Sequence, residues 1–173
     1  MNTMTNPEIG KSIQCGAIQT NYHDIGQGEA ILLLHGSGPG VSAWANWRLT
    51  IQALQNDYRL LAPDFAGFGY STFPEEITFN RDTWLKQMVD FLDALGLEKV
   101  NVIGNSFGGS MALDIKAFYP EAKIYGIDAN EKHIQEAIDL GIVEAKADFA
   151  DLINADWVIV SVPVDVALTV VPK

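Results

Sequence analysis

Ser106 stands in the segment Val102-Ile103-Gly104-Asn105-Ser106-Phe107-Gly108-Gly109, with a glycine two residues to either side. The stretch Lys99 to Gly104 before it reads as a strand, and Ser106 to Phe118 after it reads as a helix ended by Pro120. A G-x-S-x-G pattern between strand and helix suits a nucleophile. The hydroxyl must protrude from a sharp turn, and the crowded backbone there leaves room only for small neighbours. The first N–H groups of the following helix lack intrahelical acceptors, so they are available to a developing oxyanion. The plainer alternative is a glycine-rich turn with an incidental serine.

A second loop bears on that choice. His35-Gly36-Ser37-Gly38-Pro39-Gly40 follows the continuous apolar run Ala30 to Leu34, which reads as a strand buried on both faces. Three stretches, HGSGPGVSAWANW, APDFAGFGYS and GNSFGG, together resemble the meta-cleavage-product hydrolases of the α/β-hydrolase family. These enzymes split C–C bonds in ring-fission products of aromatic compounds. The likeness covers about residues 6 to 119. It implies that Ser106 is the nucleophile and that the backbone N–H groups of Ser37 and Phe107 form the oxyanion hole. It further implies that Asn46 and Trp47 lie near the substrate, and that His35 is a structural hydrogen-bonder rather than a catalyst.

The base is harder to place. In this family the order along the chain is Ser, then Asp or Glu, then His. The single histidine after Ser106 is His133, which sits at the start of a helix pattern. Without a base a serine hydroxyl is a weak nucleophile at neutral pH. Ser106 therefore reads as vestigial, although a relay of Ser106, His133 and Asp128 is an open alternative, since helix starts and strand ends share one edge of such a sheet.

Beyond Pro120 a different resemblance takes over. KIYGIDANEKHIQEAIDLGIVEA followed by ADWVIVSVPVDVAL looks like the nucleotide-binding domain of prephenate dehydrogenases. That resemblance implies ribose binding by Asp128, an acid about 20 residues beyond a glycine loop. The elbow can also be read as a degraded dinucleotide fingerprint, but Ser106 then stands where the backbone must approach a pyrophosphate. Two families meeting near residue 120 suggest a recombinant chimera without evolved activity, with residual esterase action and weak NAD or adenine-nucleotide binding as the alternatives. No resident cofactor or metal is expected.

The elements that must hold these residues follow from periodicity. Extended stretches are read at Ser12 to Thr20 and Tyr22 to Ile25, and a helix capped by Ser42 runs to Leu54. Tyr58 to Ala62 is the next buried strand, and Asp64 to Ile77 a loop. Trp84, Leu85, Met88, Val89, Leu92 and Leu95 recur at helical spacing before Gly96. Lys123 to Asp128 and Ile142 to Ala145 are strand candidates around a helix at Glu131 to Leu140. A last strand is expected at Asp156 to Val162 and a helix from Asp165. The alternation predicts a single α/β domain: a three-layer, mostly parallel, doubly wound sheet with helices on both faces, its hydrolase-like front continued in the same sheet by a Rossmann-like back.

The 173 residues include 22 acidic and 11 basic ones, a net charge of −11, which argues against nucleic acid or an anionic membrane as partner. Cys15 is the one cysteine and no apolar run reaches membrane-spanning length, so a reducing cytoplasm is the expected setting. A sheet edge at Asp156 to Val162 and an uncovered lid surface predict self-association.

Overall fold

The computed structural model describes residues 6–72, 74–78, 80–98, 100–116, 125–127 and 130–148. The chain opens with a hairpin of β1 (Lys11–Cys15) and β2 (Ile18–Ile25). Cys15 pairs with Ile18, so Gly16 and Ala17 alone make the turn. Gly16 has φ +56°, the left-handed conformation that a two-residue hairpin loop requires at its first position. The expected single stretch from Ser12 to Thr20 is therefore wrong: the chain reverses at Gly16.

β3 (Ala30–Leu34), α1 (Ala43–Leu54), β4 (Arg59–Pro63), α2 (Arg81–Ala94), β5 (Asn101–Gly104) and α3 (Phe107–Lys116) follow. The five strands form one sheet in the order β1-β2-β4-β3-β5. β3 runs parallel to both β4 and β5, whereas β1–β2 and β2–β4 are antiparallel. The described sheet is thus mixed rather than mostly parallel. Its cause is local: a two-residue turn can join only antiparallel strands, and β2 then carries that direction into its pairing with β4.

Alternation along β3 and β4 divides the core. Leu32, Leu34 and Leu61 pack with Met88, Phe91 and Leu92 of α2 and with Met111 and Ala112 of α3. Ile31, Leu33, Leu60 and Ala62 face the other way, onto Ala43, Trp47 and Ile51 of α1. Helices on both faces match the sequence expectation. Helices α1 and α2 start on side-chain caps: Ser42 accepts from Ala45 N–H at 3.0 Å and Asn80 from Thr83 N–H at 2.9 Å.

Further on, β6 (Tyr125–Gly126), α4 (Glu131–Asp139) and β7 (Ala145–Lys146) make a strand-helix-strand unit. β6 and β7 pair in parallel as a separate two-stranded sheet. The expected continuation of the front sheet by these strands is not what the structure shows. The strand and helix expected from Asp156 onward lie outside the described residues, as does Asp128. Among the described residues, no helix is long and apolar enough to cross a membrane.

Candidate active site

Ser106 occupies the turn between β5 and α3, and its φ of +53° is the one positive value at a non-glycine among the described residues. A side chain held there costs on the order of 1–3 kcal/mol and persists only where the surroundings force it. Those surroundings are visible. A Cβ on Gly104 would lie 2.5 Å from backbone atoms of Gly108 and Gly109, and one on Gly108 would lie 2.1 Å from the carbonyl oxygen of Leu34. Both glycines are buried, while Ser106 itself is exposed. The helix expected from Ser106 begins one residue later, so the serine stands outside it. Asn105 anchors the turn from both sides: its N–H donates to Leu34 O at 3.0 Å and its carbonyl accepts from Gly108 N–H at 2.9 Å.

The loop after β3 lies directly against this turn. A Cβ on Gly36 would be 3.6 Å from Ser106 Cβ and 3.3 Å from Asn105 Nδ2, so only glycine fits without displacement. Gly36 is held at both of its polar groups. His35 is fully buried, and its Nε2 accepts from Phe65 N–H at 3.0 Å. Nδ1 therefore carries the ring proton and donates it to Gly36 O at 2.6 Å. Burial drives the His35 pKa down, outweighing the opposing pull of the Gly36 carbonyl and the Asp64 charge, so the ring stays neutral. His35 is the structural hydrogen-bonder the resemblance implied.

This clamp orients the loop's free N–H groups. In a trans peptide the C=O and the following N–H point in opposite directions. With Gly36 O turned to the buried His35 ring, the N–H of Ser37 is turned away from it. Gly36 N–H is itself taken by Asn46 Oδ1 at 3.1 Å, so the N–H of Ser37 is the next donor along this loop. Phe107 is the first residue of α3, so its N–H has no acceptor one turn back. The geometry thus presents an exposed hydroxyl, with Ser37 N–H and Phe107 N–H as the two candidate donors beside it.

Of the two residues expected near the substrate, Trp47 lies in the core. It is 7% exposed and belongs to the core between α1 and the sheet. Asn46 does reach the turn, through protein contacts: Asn105 Nδ2 donates to its Oδ1 at 3.0 Å. Phe107, the residue after Ser106, packs its half-buried ring against those of Phe68 and Trp84, with Trp84 and Phe107 ring centroids 5.0 Å apart.

Sequence reasoning passed over Asp64. Its fully buried carboxylate accepts from Ala43 N–H at 2.6 Å, Tyr70 N–H at 2.8 Å and Asn21 Nδ2 at 2.8 Å. It thereby ties the start of α1 to β2 and to the loop that carries Phe68. The sequence carried no such signal, because Asp64 follows β4 and lies 21 residues from the helix N-terminus that its charge meets. An open cleft of about 620 Å³ lies between residues 38–41 and 67–70, lined also by Glu8, and Ser106 is not part of its wall.

No imidazole is hydrogen-bonded to Ser106 among the described residues. His133 is exposed in the first turn of α4, with Nε2 3.0 Å from Asn130 Nδ2. The alternative relay through Asp128 falls outside the described residues.

Comparison with known proteins agrees with this frame. The family model described as the alpha/beta hydrolase fold matches residues 29–153, running past residue 120, where a second resemblance was expected to begin. A 2-hydroxymuconate semialdehyde hydrolase of Pseudomonas sp. (strain CF600) is 49% identical over 122 residues, 70% of this chain and 43% of that protein. A 2-hydroxy-6-oxo-2,4-heptadienoate hydrolase of Pseudomonas putida is 37% identical over 155 residues, 90% of this chain and 52% of its own length. The solved meta-cleavage product hydrolase of Pseudomonas fluorescens superposes with a TM-score of 0.66 at 48% identity, covering 69% of this chain and 45% of that one. The chain therefore spans about half the length of these relatives. Its N-terminal region is similar to meta-cleavage product hydrolases, and with the strained serine between two obligatory glycines and the family match over most of its length, the chain belongs to the α/β-hydrolase fold family.

Proposed function

We propose that this chain carries the nucleophile half of a serine hydrolase acting on carbonyl compounds, with Ser106 as nucleophile and the N–H groups of Ser37 and Phe107 as oxyanion hole. One observation carries the reading: Ser106 is held at φ +53° between glycines whose missing Cβ atoms leave no room, against a Gly36 clamped at both N and O. A backbone held in that way is built to present a side chain. The names of the relatives suggest ring-fission dienoates as the substrate class of the whole protein. Their C–C cleavage calls for a base, and the described residues place none on Ser106.

The chemistry expected of this chain alone is slow acyl transfer. Ser106 Oγ attacks the carbonyl carbon of p-nitrophenyl acetate, the carbonyl electron pair moves onto oxygen beside the two N–H donors, and the hydroxyl proton passes to water. Collapse expels p-nitrophenolate and leaves acetyl-Ser106, which water hydrolyses. Binding and an oxyanion hole without a complete triad supply about 10³–10⁴-fold over water. The test compares nitrophenolate release by the wild-type chain and by Ser106→Ala, with mass spectrometry for a serine-directed phosphonate on Ser106. Equal release by both proteins and an unlabelled Ser106 would overturn the reading.

A further inference from the structure

The open cleft between residues 38–41 and 67–70 is shaped for a small molecule of its own. Its volume of about 620 Å³ falls inside the range usual for ligand pockets, about 300–1,000 Å³. Gly69 N–H donates to Val41 O at 3.1 Å, which ties the two walls together. Phe68 and Tyr70 supply aromatic lining, and Tyr70 is 45% exposed.

Two carboxylates bear on this space. Ser42 Oγ donates to Glu8 Oε2 at 2.6 Å, which holds the Glu8 carboxylate at the end of the Gly38–Val41 wall. A carboxylate offers about four lone-pair sites, and this bond uses one. Asp64 lies directly behind the opposite wall: a Cβ on Gly69 would be 2.1 Å from its Oδ2 and 2.6 Å from its Oδ1. Asp64 is fully buried, and the groups that donate to its carboxylate, Ala43 N–H, Tyr70 N–H and Asn21 Nδ2, are all uncharged. No lysine, arginine or histidine is among the lining residues.

A buried charge is screened little by salt, and a cleft walled by one sign of charge concentrates the field inside it. The net charge of −11 adds to the same sign. Anions are repelled, including the carboxylate-bearing dienoates suggested above, and Ser106 is not part of this wall. A cation is favoured by the two carboxylates, and the faces of aromatic rings attract it as well. We infer that the cleft binds a small organic ammonium ion, its charge held between Glu8 and the buried Asp64 and its alkyl groups laid against Phe68 and Tyr70. The site stands apart from the hydrolase reading.

The test titrates the folded chain with choline and with its neutral isostere, in which a quaternary carbon replaces the nitrogen. The two probes share a shape and differ in charge. NMR follows the amides of Gly38, Gly40, Gly67 and Gly69. Saturable shifts of these amides with millimolar choline, and binding of the isostere about fivefold weaker, support the site. Glu8→Gln keeps an oxygen for Ser42 Oγ and removes the charge, and it should weaken choline binding by about fivefold. Tyr70→Leu keeps apolar contact and removes the ring, with an expected loss of about two- to fivefold.

Equal affinity for choline and the isostere overturns the inference. So do choline titrations that leave the four glycine amides unmoved, and unchanged choline affinity in a folded Glu8→Gln. If Glu8→Gln does not fold, unchanged affinity in Tyr70→Leu overturns it instead. Ser106 acylation enters none of these readouts, so a failed hydrolase reading leaves the outcome intact.

Discussion

His23 and His35 illustrate how burial sets the charge of single residues around the site. Desolvation lowers both pKa values, and the negative charge of Asp64 opposes it in each, joined at His23 by Glu8. In the unfolded chain both rings return to about 6.5. The unfolded state then binds more protons below that value, so these two groups contribute their full stability above it and lose it as pH falls toward the depressed folded values. We expect the urea midpoint to fall between pH 7.5 and pH 5. A flat midpoint across that interval would contradict neutral buried rings. The residues of the elbow were legible in the sequence because their types and spacing are dictated by the turn itself. Asn46 and Trp47 were not separable there. Neighbours on a helix point about 100° apart, so one reaches the loop and the other the core, and nothing in the sequence says which.

At the scale of elements, the packing of α3 against the end of β3 is the closest approach in the site. Gly108 meets the carbonyl of Leu34, so Gly108→Ala must push the first turn of α3 off the sheet. Overpacking of this kind costs about 1–3 kcal/mol. The expected outcome is a lowered urea midpoint together with loss of phosphonate labelling at Ser106. An unchanged midpoint would show that the helix start has slack. Helices α1 and α2 were read well from apolar spacing, and α1 also from its Ser42 cap, whereas the Asn80 cap of α2 was not singled out. The strands fared worse where pairing is decided by a turn: the reversal at Gly16 sits inside a run that looks extended on both sides. The separate pairing of β6 with β7 had no sequence signal, because a short parallel strand reads the same whichever sheet receives it.

For the molecule as a whole, exposed apolar surface competes with charge. Leu49 is 68% exposed and Leu140 74%, and the rings of Phe68, Trp84 and Phe107 are only half-buried. β1 and β5 are the outer strands of the described five-stranded sheet. Such surfaces favour self-association, and a net charge of −11 opposes it. Salt screens the charge without weakening apolar contact. Sedimentation at low and high ionic strength should therefore show a larger species at high salt. A strict monomer under both conditions, at high protein concentration, would rule this out.

Every pairing of the five-stranded sheet closes between Lys11 and Gly104, and the hydrogen-bond partners of Gly36, Asn46 and Asn105 described above lie between Leu34 and Gly108. A chain leaving the ribosome thus carries every contact that shapes its reactive bend soon after α3 has emerged. On the function proposed above, the residues after α3 meet a serine turn that they need not shape.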